Sequence, residues 1–310
     1  MRLYRWLSDY HGSERGIALA IGNFDGFHMG HQAVIERMKQ KAKEHNLETA
    51  VMIFEPQPME FFGKEVPARL FSVRDKLRMF RAVGIENVFC MNFTYKFADM
   101  DDKQFTSMLF DKIGVKSVTV GSDFNFGRRG AYNLDDLKRC AQEAGVECSA
   151  IEKVENDGKR ISSTLLRSLV KDGDFSTVTK YMGHEYSIAG RVVHGNAIGR
   201  TIGFPTANIN LNRRVCPLKG VYAVKITLEG AVYDGVANVG YRPTISTPTL
   251  NTLLEVHIIN FTGDIYGKEI EVTFRYKIRD EMKFESLDAL VQQISADKER
   301  ALTLLSRKDT

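Results

Sequence analysis

The sequence predicts a two-domain protein: a parallel α/β sheet over residues 1–182, then a small antiparallel β-barrel or sandwich closed by a C-terminal helix over residues 183–310. Three observations predict it. Short apolar runs alternate with helix-period segments up to about residue 154. Strand-and-turn patterning takes over from His184. A helical period returns between Ser286 and Leu305.

In the first half, Ile17–Ile21, Ala50–Phe54, Val88–Met91 and Val118–Val120 read as strands, with a weaker one over Val146–Ile151. Helices are expected near 31–45, 73–83, 101–113 and 134–144. In the first of these Val34, Ile35, Met38 and Ala42 recur at helical spacing. The last follows Asn133, a good N-cap. Alternation of this kind gives a parallel sheet with helices on both faces, and such sheets bind ligands at the carboxyl ends of their strands.

Ser162–Val170 and Phe175–Met182 read as short helices. Gly220–Leu228 runs through Glu229-Gly230 into Ala231–Val239, a hairpin by its turn chemistry. Leu253–Phe261 and Ile270–Ile278 supply two more strands. The final helix carries Leu287, Leu290, Val291 and Ile294 on one stripe, expected to face the barrel.

Composition narrows the class. The 310 residues are 43% hydrophobic and 26% charged, as in ordinary globular domains. No apolar segment is long enough to cross a bilayer, and no secretory leader is evident, so a cytoplasmic protein without membrane association is expected. The formal charge of +4 is too mild to indicate a nucleic-acid partner. Cys90, Cys140, Cys148 and Cys216 lack metal spacing and read as reduced thiols.

The segment Gly22-Asn-Phe-Asp-Gly-Phe-His28-Met-Gly-His31 joins a strand to a helix. Gly22, Gly26 and Gly30 keep the turn free of bulk. The helix N-terminus favours an anion there. His28 and His31 can stabilise charge building on a phosphate during its transfer. These residues resemble the nucleotide-binding motif of the nucleotidyltransferase superfamily, with its H-x-G-H core at His28, Gly30 and His31. The resemblance implies a Rossmann-like fold and ATP contacts at Gly22, Phe24 and Gly30. Ile161-Ser-Ser-Thr-Leu-Leu-Arg167 resembles a second motif of the superfamily, in which Ser162, Ser163, Thr164 and Arg167 bind the ATP phosphates. Hydroxyls at a helix start and an arginine fork one turn later suit that role.

Phe54-Glu-Pro-Gln-Pro58 and Gly121-Ser-Asp-Phe-Asn-Phe-Gly127 resemble segments of bacterial FAD synthases. They imply Asn125 near the nucleotide, and Phe54 and Phe62 as candidates to stack on a flavin. In the second half Gly203-Phe-Pro-Thr-Ala-Asn208 resembles the signature of riboflavin kinases. Alternation along a strand puts Thr206 and Asn208 on one face, where their oxygens can hold Mg²⁺. Gly199, Gly203 and Pro205 would lie close to ATP. Glu255 resembles the kinase base, able to take a hydroxyl proton. Asn238–Thr244 and Ile278–Phe284 match further family segments, with Arg279 and Phe284 as flavin-side contacts. His194 and His257 read as structural.

The order of these segments resembles that of bifunctional bacterial riboflavin kinase/FMN adenylyltransferases. The resemblance implies riboflavin, FMN and ATP as substrates, Mg²⁺ as cofactor, FMN and FAD as products, and at most a weak homo-oligomer. Phe27 departs from the small aliphatic residue usual before the first histidine, and Gln57 from a usual histidine. Two alternatives stay open: an adenylyltransferase for another acceptor with an accessory barrel, and a nucleic-acid-binding barrel.

Overall fold

A computed structural model describes residues 1–63, 66–195, 199, 202–211, 215–242 and 251–307. The chain packs as two units. One comprises Met1–Pro67 and Lys76–Ser162, the other Ala68–Asp75 and Ser163–Thr310.

The first unit contains six parallel strands: β1 (Arg2–Tyr4), β2 (Ile17–Ile21), β3 (Glu48–Glu55), β4 (Asn87–Asn92), β5 (Val115–Gly121) and β6 (Glu147–Ile151). Their order is β1-β4-β3-β2-β5-β6, and every pairing is parallel. β2 is buried along its whole length, as an unbroken apolar run in a doubly covered sheet must be. One face carries a core of Ile17, Leu19, Met52, Phe54, Phe89 and Val118, joined by Phe105 and Leu109. Helix α1 (Met29–Glu44) packs on β2 and β5. Its buried Val34, Ile35 and Met38 lie outside that core, which assigns them the opposite face.

The remaining helices are α2 (Pro58–Phe62), α3 (Val73–Ala82), α4 (Tyr95–Ala98), α5 (Asp102–Ser107) and α6 (Leu134–Glu143). α5 runs into a π-helical turn over Met108–Lys112, so the helix expected over 101–113 is present but not uniform. α6 starts at Asn133, whose Oδ1 accepts the N–H of Asp135 at 2.8 Å. β1, α2, α4 and the hairpin at residues 155–160 lie outside the sequence expectation. Strand order reverses between β2 and β5, so the loops leaving their carboxyl ends, residues 22–28 and 122–130, flank the crevice of the sheet. A short hairpin, β7 (Glu155–Asn156) with β8 (Lys159–Arg160), follows β6.

The second unit opens with α7 (Ser163–Asp172) and α8 (Phe175–Met182). Six antiparallel strands then form a closed barrel: β9 (Ser187–Val193), β10 (Ala207–Asn210), β11 (Gly220–Leu228), β12 (Ala231–Arg242), β13 (Asn251–Ile258) and β14 (Glu269–Arg279). Their order is β10-β13-β12-β11-β14-β9, with β9 pairing back to β10. Closure leaves no free edge. Phe175, Tyr186, Tyr222 and Phe274 form an aromatic cluster inside this unit. The Tyr186 hydroxyl donates to the Leu70 carbonyl at 3.1 Å, which ties the 68–75 segment to the barrel.

Helix α9 (Leu287–Leu305) packs on β11, β12 and β14. Its contact is made by Ala301 and Leu304 against Ala223, not by the expected stripe. Leu287 is 57% exposed, while Leu290 and Ile294 line a cavity. That stripe is the wall of a hollow.

Candidate functional sites

The turn between β2 and α1 builds the first site. His28 is the N-cap of α1, and its Nδ1 accepts the His31 N–H at 3.4 Å. A neutral His28 ring in this geometry carries its hydrogen on Nε2. The two imidazoles stack with centroids 3.7 Å apart and an 18° interplanar angle. Gly30 makes this possible, since a Cβ there would lie 3.1 Å from the His28 ring. No acidic residue occupies the first turn of α1, so the helix N-terminus keeps its attraction for an anion.

Phe24 and Phe27 both have left-handed backbones, with φ of 49° and 42°. Their rings are buried against Phe80 at 5.5 and 6.0 Å. Phe24 also backs the His31 ring at 5.3 Å. Phe24 therefore supports the turn from behind with its side chain, and Phe27 fills core. A Cβ at Gly22 would meet the Phe24 ring at 3.3 Å. Gln57, the second departure from the family pattern, caps α2: its N–H donates to Glu60 at 3.1 Å.

Beyond β3 and β5 lies an aromatic cavity. Phe54, Phe62 and Asn125, which the sequence marks separately, all line it, together with Phe93, Phe97 and Phe124. The Asn125 amide donates to the Asp123 carbonyl at 3.0 Å.

Ser162 closes the first unit, while Ser163, Thr164 and Arg167 lie on α7 of the second. Arg167 Nε donates to the Ala68 carbonyl at 2.5 Å within that second unit.

The barrel site is a row of side chains. Register places Asn208 of β10 opposite Glu255 of β13, and Glu255 opposite Asn238 of β12. Directly opposed residues share a face of the sheet. The Asn238 amide donates to Glu255 Oε2 at 3.5 Å. Two cavities flank this row. One holds Glu255, Asn238, Phe284, Leu290 and Ile294. The other holds Asn208, Gly195, Phe261 and Tyr266. Thr206 lines both.

The turn before β10 is tightly made. Phe204 N–H donates to the Gly199 carbonyl at 2.7 Å. A Cβ at Gly199 would lie 2.3 Å from the Phe204 oxygen, and Gly203 has φ +85°. His257 Nδ1 donates to the Pro205 carbonyl at 2.9 Å, which fixes this turn to β13. Burial, aided by the nearby Lys298 charge, holds the His257 imidazole below its ordinary pKa, although the Pro205 hydrogen bond opposes this. Arg200, Thr201, Pro243 and Thr244 of the motif segments lie outside the described residues.

Arg279 lines the first of these cavities beside Phe284, whose ring centroid is 5.8 Å from its guanidinium carbon. Its donors are committed elsewhere. Nε and Nη2 bind the buried Asp297 carboxylate of α9 at 2.7–3.0 Å, and Nη1 binds the Asp280 carbonyl. Arg279 thus braces the cavity wall.

Comparison with known proteins shows the family. Residues 11–165 match the FAD synthetase family model, and residues 182–305 match riboflavin kinase. The bifunctional riboflavin kinase/FMN adenylyltransferase of Haemophilus influenzae is 44% identical over 97% of this chain and 98% of its own. Those of Escherichia coli K12 and Pseudomonas fluorescens are 42% and 40% identical over 92% and 98% of this chain, and 91% and 98% of their own. The chain belongs to the bifunctional riboflavin kinase/FMN adenylyltransferases. The fold recurs in a solved Streptococcus pneumoniae structure described as a macrolide-efflux protein, at 30% identity, TM-score 0.79 and 99% coverage of both chains.

Within this family's chemistry, Asn208 fits a divalent cation. It is 5% exposed, and its Oδ1 is buried without a hydrogen-bond partner among the described residues. A carbonyl-type oxygen beside a hydroxyl is the ligand chemistry of Mg²⁺. Sequence reasoning missed Asn238, Gly195, Tyr266 and the anchoring role of His257. Asn238 lay in a quoted family segment. Gly195 is distinguished only in three dimensions, where a Cβ would lie 2.4 Å from the Asn208 amide nitrogen.

Proposed function

We infer that the two units divide two successive reactions. The barrel transfers the γ-phosphoryl group of ATP to the 5′-hydroxyl of riboflavin, giving FMN and ADP. In the α/β unit the FMN phosphate then displaces pyrophosphate from the α-phosphate of a second ATP, giving FAD.

The single observation that carries this reading is the Asn208–Glu255–Asn238 row between two cavities that share Thr206. Riboflavin occupies the cavity walled by Phe284, Leu290 and Ile294, with its ribityl end toward Glu255. Glu255 takes the hydroxyl proton as the new O–P bond forms. ATP occupies the neighbouring cavity, against the turn made by Gly199, Gly203 and Pro205. Thr206 and Asn208 would hold Mg²⁺, which neutralises phosphate charge when bound.

FMN occupies the aromatic cavity of Phe54, Phe62 and Asn125. Its phosphate is already anionic, so this reaction needs positioning and charge stabilisation more than a base. His28, His31 and the N-terminus of α1 supply the charge stabilisation. Gly22 and Gly30 leave room for the nucleotide, and Ser162 at the end of this unit is assigned to its phosphates. The riboflavin kinase match begins at 182, in keeping with a division of function at 182/183, whereas the FAD synthetase match ends at 165 and α7 and α8 pack with the second unit. Among the described residues no helix is long and apolar enough to cross a membrane, and dependence on ATP favours the cytoplasm. Purified protein given riboflavin, ATP and Mg²⁺ is expected to form FMN and then FAD on chromatography. Formation of neither product would refute the reading.

A further inference from the structure

The aromatic cavity of the α/β unit has one charged side chain among its described lining residues, Arg129. Two features set it apart. Its backbone is left-handed, with φ 53° and ψ 31°, a conformation that favours glycine. The loop holds it there: Phe126 and Tyr132 exchange backbone hydrogen bonds at 2.9 and 3.1 Å, Gly130 N–H donates to the Gly127 carbonyl, and Ala131 N–H to that of Arg128. Its charge is also uncommitted. Arg139 is paired with Asp102 and Asp136, and Arg160 with Asp123; Arg128 also has no ion pair among the described residues, but it does not line the cavity. Arg129 has no ion pair or hydrogen bond from its side chain among the described residues.

We propose that Arg129 is a specificity-determining residue of adenylyl transfer, binding the phosphate of FMN and so distinguishing FMN from riboflavin. This rests on the reading that the aromatic cavity receives the flavin. Riboflavin and FMN carry the same ring system, so an aromatic wall grips both alike. Riboflavin there is a dead end, because it has no phosphate to attack ATP. A guanidinium fork matches a phosphate and finds nothing equivalent on riboflavin. In the reaction the FMN phosphate oxygen bonds to the α-phosphorus as the bond to pyrophosphate breaks. Arg129 keeps its protons throughout and only positions the nucleophile.

The left-handed backbone supplies a benign variant, since glycine at 129 removes the cation and keeps the turn. FAD formation from FMN and ATP is measured with the full-length protein. 5′-Deoxyriboflavin, which lacks the hydroxyl that is phosphorylated, serves as competitive inhibitor. Arg129→Gly is expected to raise the KM for FMN about tenfold while leaving the inhibitor's Ki within about twofold. Arg129→Lys should restore part of the FMN affinity. An unchanged KM, or a KM and Ki that rise together, would overturn the proposal. Phe62→Ala separates the underlying reading. If it raises both KM and Ki while Arg129→Gly raises neither, the cavity holds the flavin and Arg129 is not its phosphate ligand. If Phe62→Ala also moves neither, the cavity is not the flavin site and both readings fall.

Discussion

The two sites differ in what they must do to the attacking group. In the proposed scheme the barrel draws a proton from a neutral hydroxyl with a carboxylate, Glu255, set between two amides on neighbouring strands. The α/β unit faces a nucleophile that is already an anion. It offers stacked imidazoles and a helix N-terminus with no acid in its first turn. The cavities differ in the same sense. In the same scheme one flavin wall is a half-exposed aliphatic stripe on a helix, the other a cluster of phenylalanines with one cation among the described lining residues. On this proposal the protonation state of the nucleophile decides which residue types each half carries.

Reciprocal variants test that contrast most severely. Glu255→Gln should reduce FMN formation by about 10²–10⁴-fold and leave conversion of supplied FMN to FAD intact. His28→Ala should do the reverse, lowering FAD formation by about 10²–10³-fold with FMN formation kept. Product chromatography reads both. Equal loss of both activities in either folded variant would erase the division of labour.

A smaller effect concerns the braced wall. Asp297→Ala strips the partner from Arg279 in a mostly buried pair, and the barrel should lose about 3 kcal/mol. Denaturant unfolding followed by FMN-forming and FAD-forming activity should show the first activity failing at lower denaturant. Coincident loss would mean that the two units unfold as one.

The smallest effect is one of pH. Burial keeps the His257 imidazole below its ordinary value. Between that lowered value and about 6.5, the unfolded chain takes up a proton that the folded barrel refuses. Stability from this residue is therefore whole above about pH 6.5 and declines as the pH falls toward the folded value. His257→Asn should lose about 2 °C less in melting temperature than the parent between pH 7.5 and 5.5. A parallel decline would remove His257 from the account.

What the sequence disclosed followed the range of each signal. β2, the Glu229-Gly230 hairpin and the Asn133 cap are short-range patterns, and all are present. β1 is three residues long and is defined by pairing with β4 far along the chain, so no local period betrays it. The stripe of α9 reads as a packing face, because periodicity reports apolarity and not whether a solid core or a hollow lies beneath. Glu255, Thr206 and Asn208 were legible through their segments, and the structure sets them around one row. His257 was legible only as structural, since its bond to Pro205 depends on the pairing of β10 with β13. Arg129 left no sequence signal, because what distinguishes it is a backbone angle.

The segment Ala68–Asp75 gives the gene an interleaved grammar. It is written inside the first unit and spelled into the second, where its carbonyls receive the Tyr186 hydroxyl and the Arg167 guanidinium. No single scissile point separates the two enzymes. A chain begun at Ser163 leaves behind the acceptor of a buried tyrosine, and a chain ended at Ser162 carries a strap with nothing to fasten. Fusion of the two activities is therefore more than tethering: the first half holds a phrase belonging to the second, and a split gene would first have to move it.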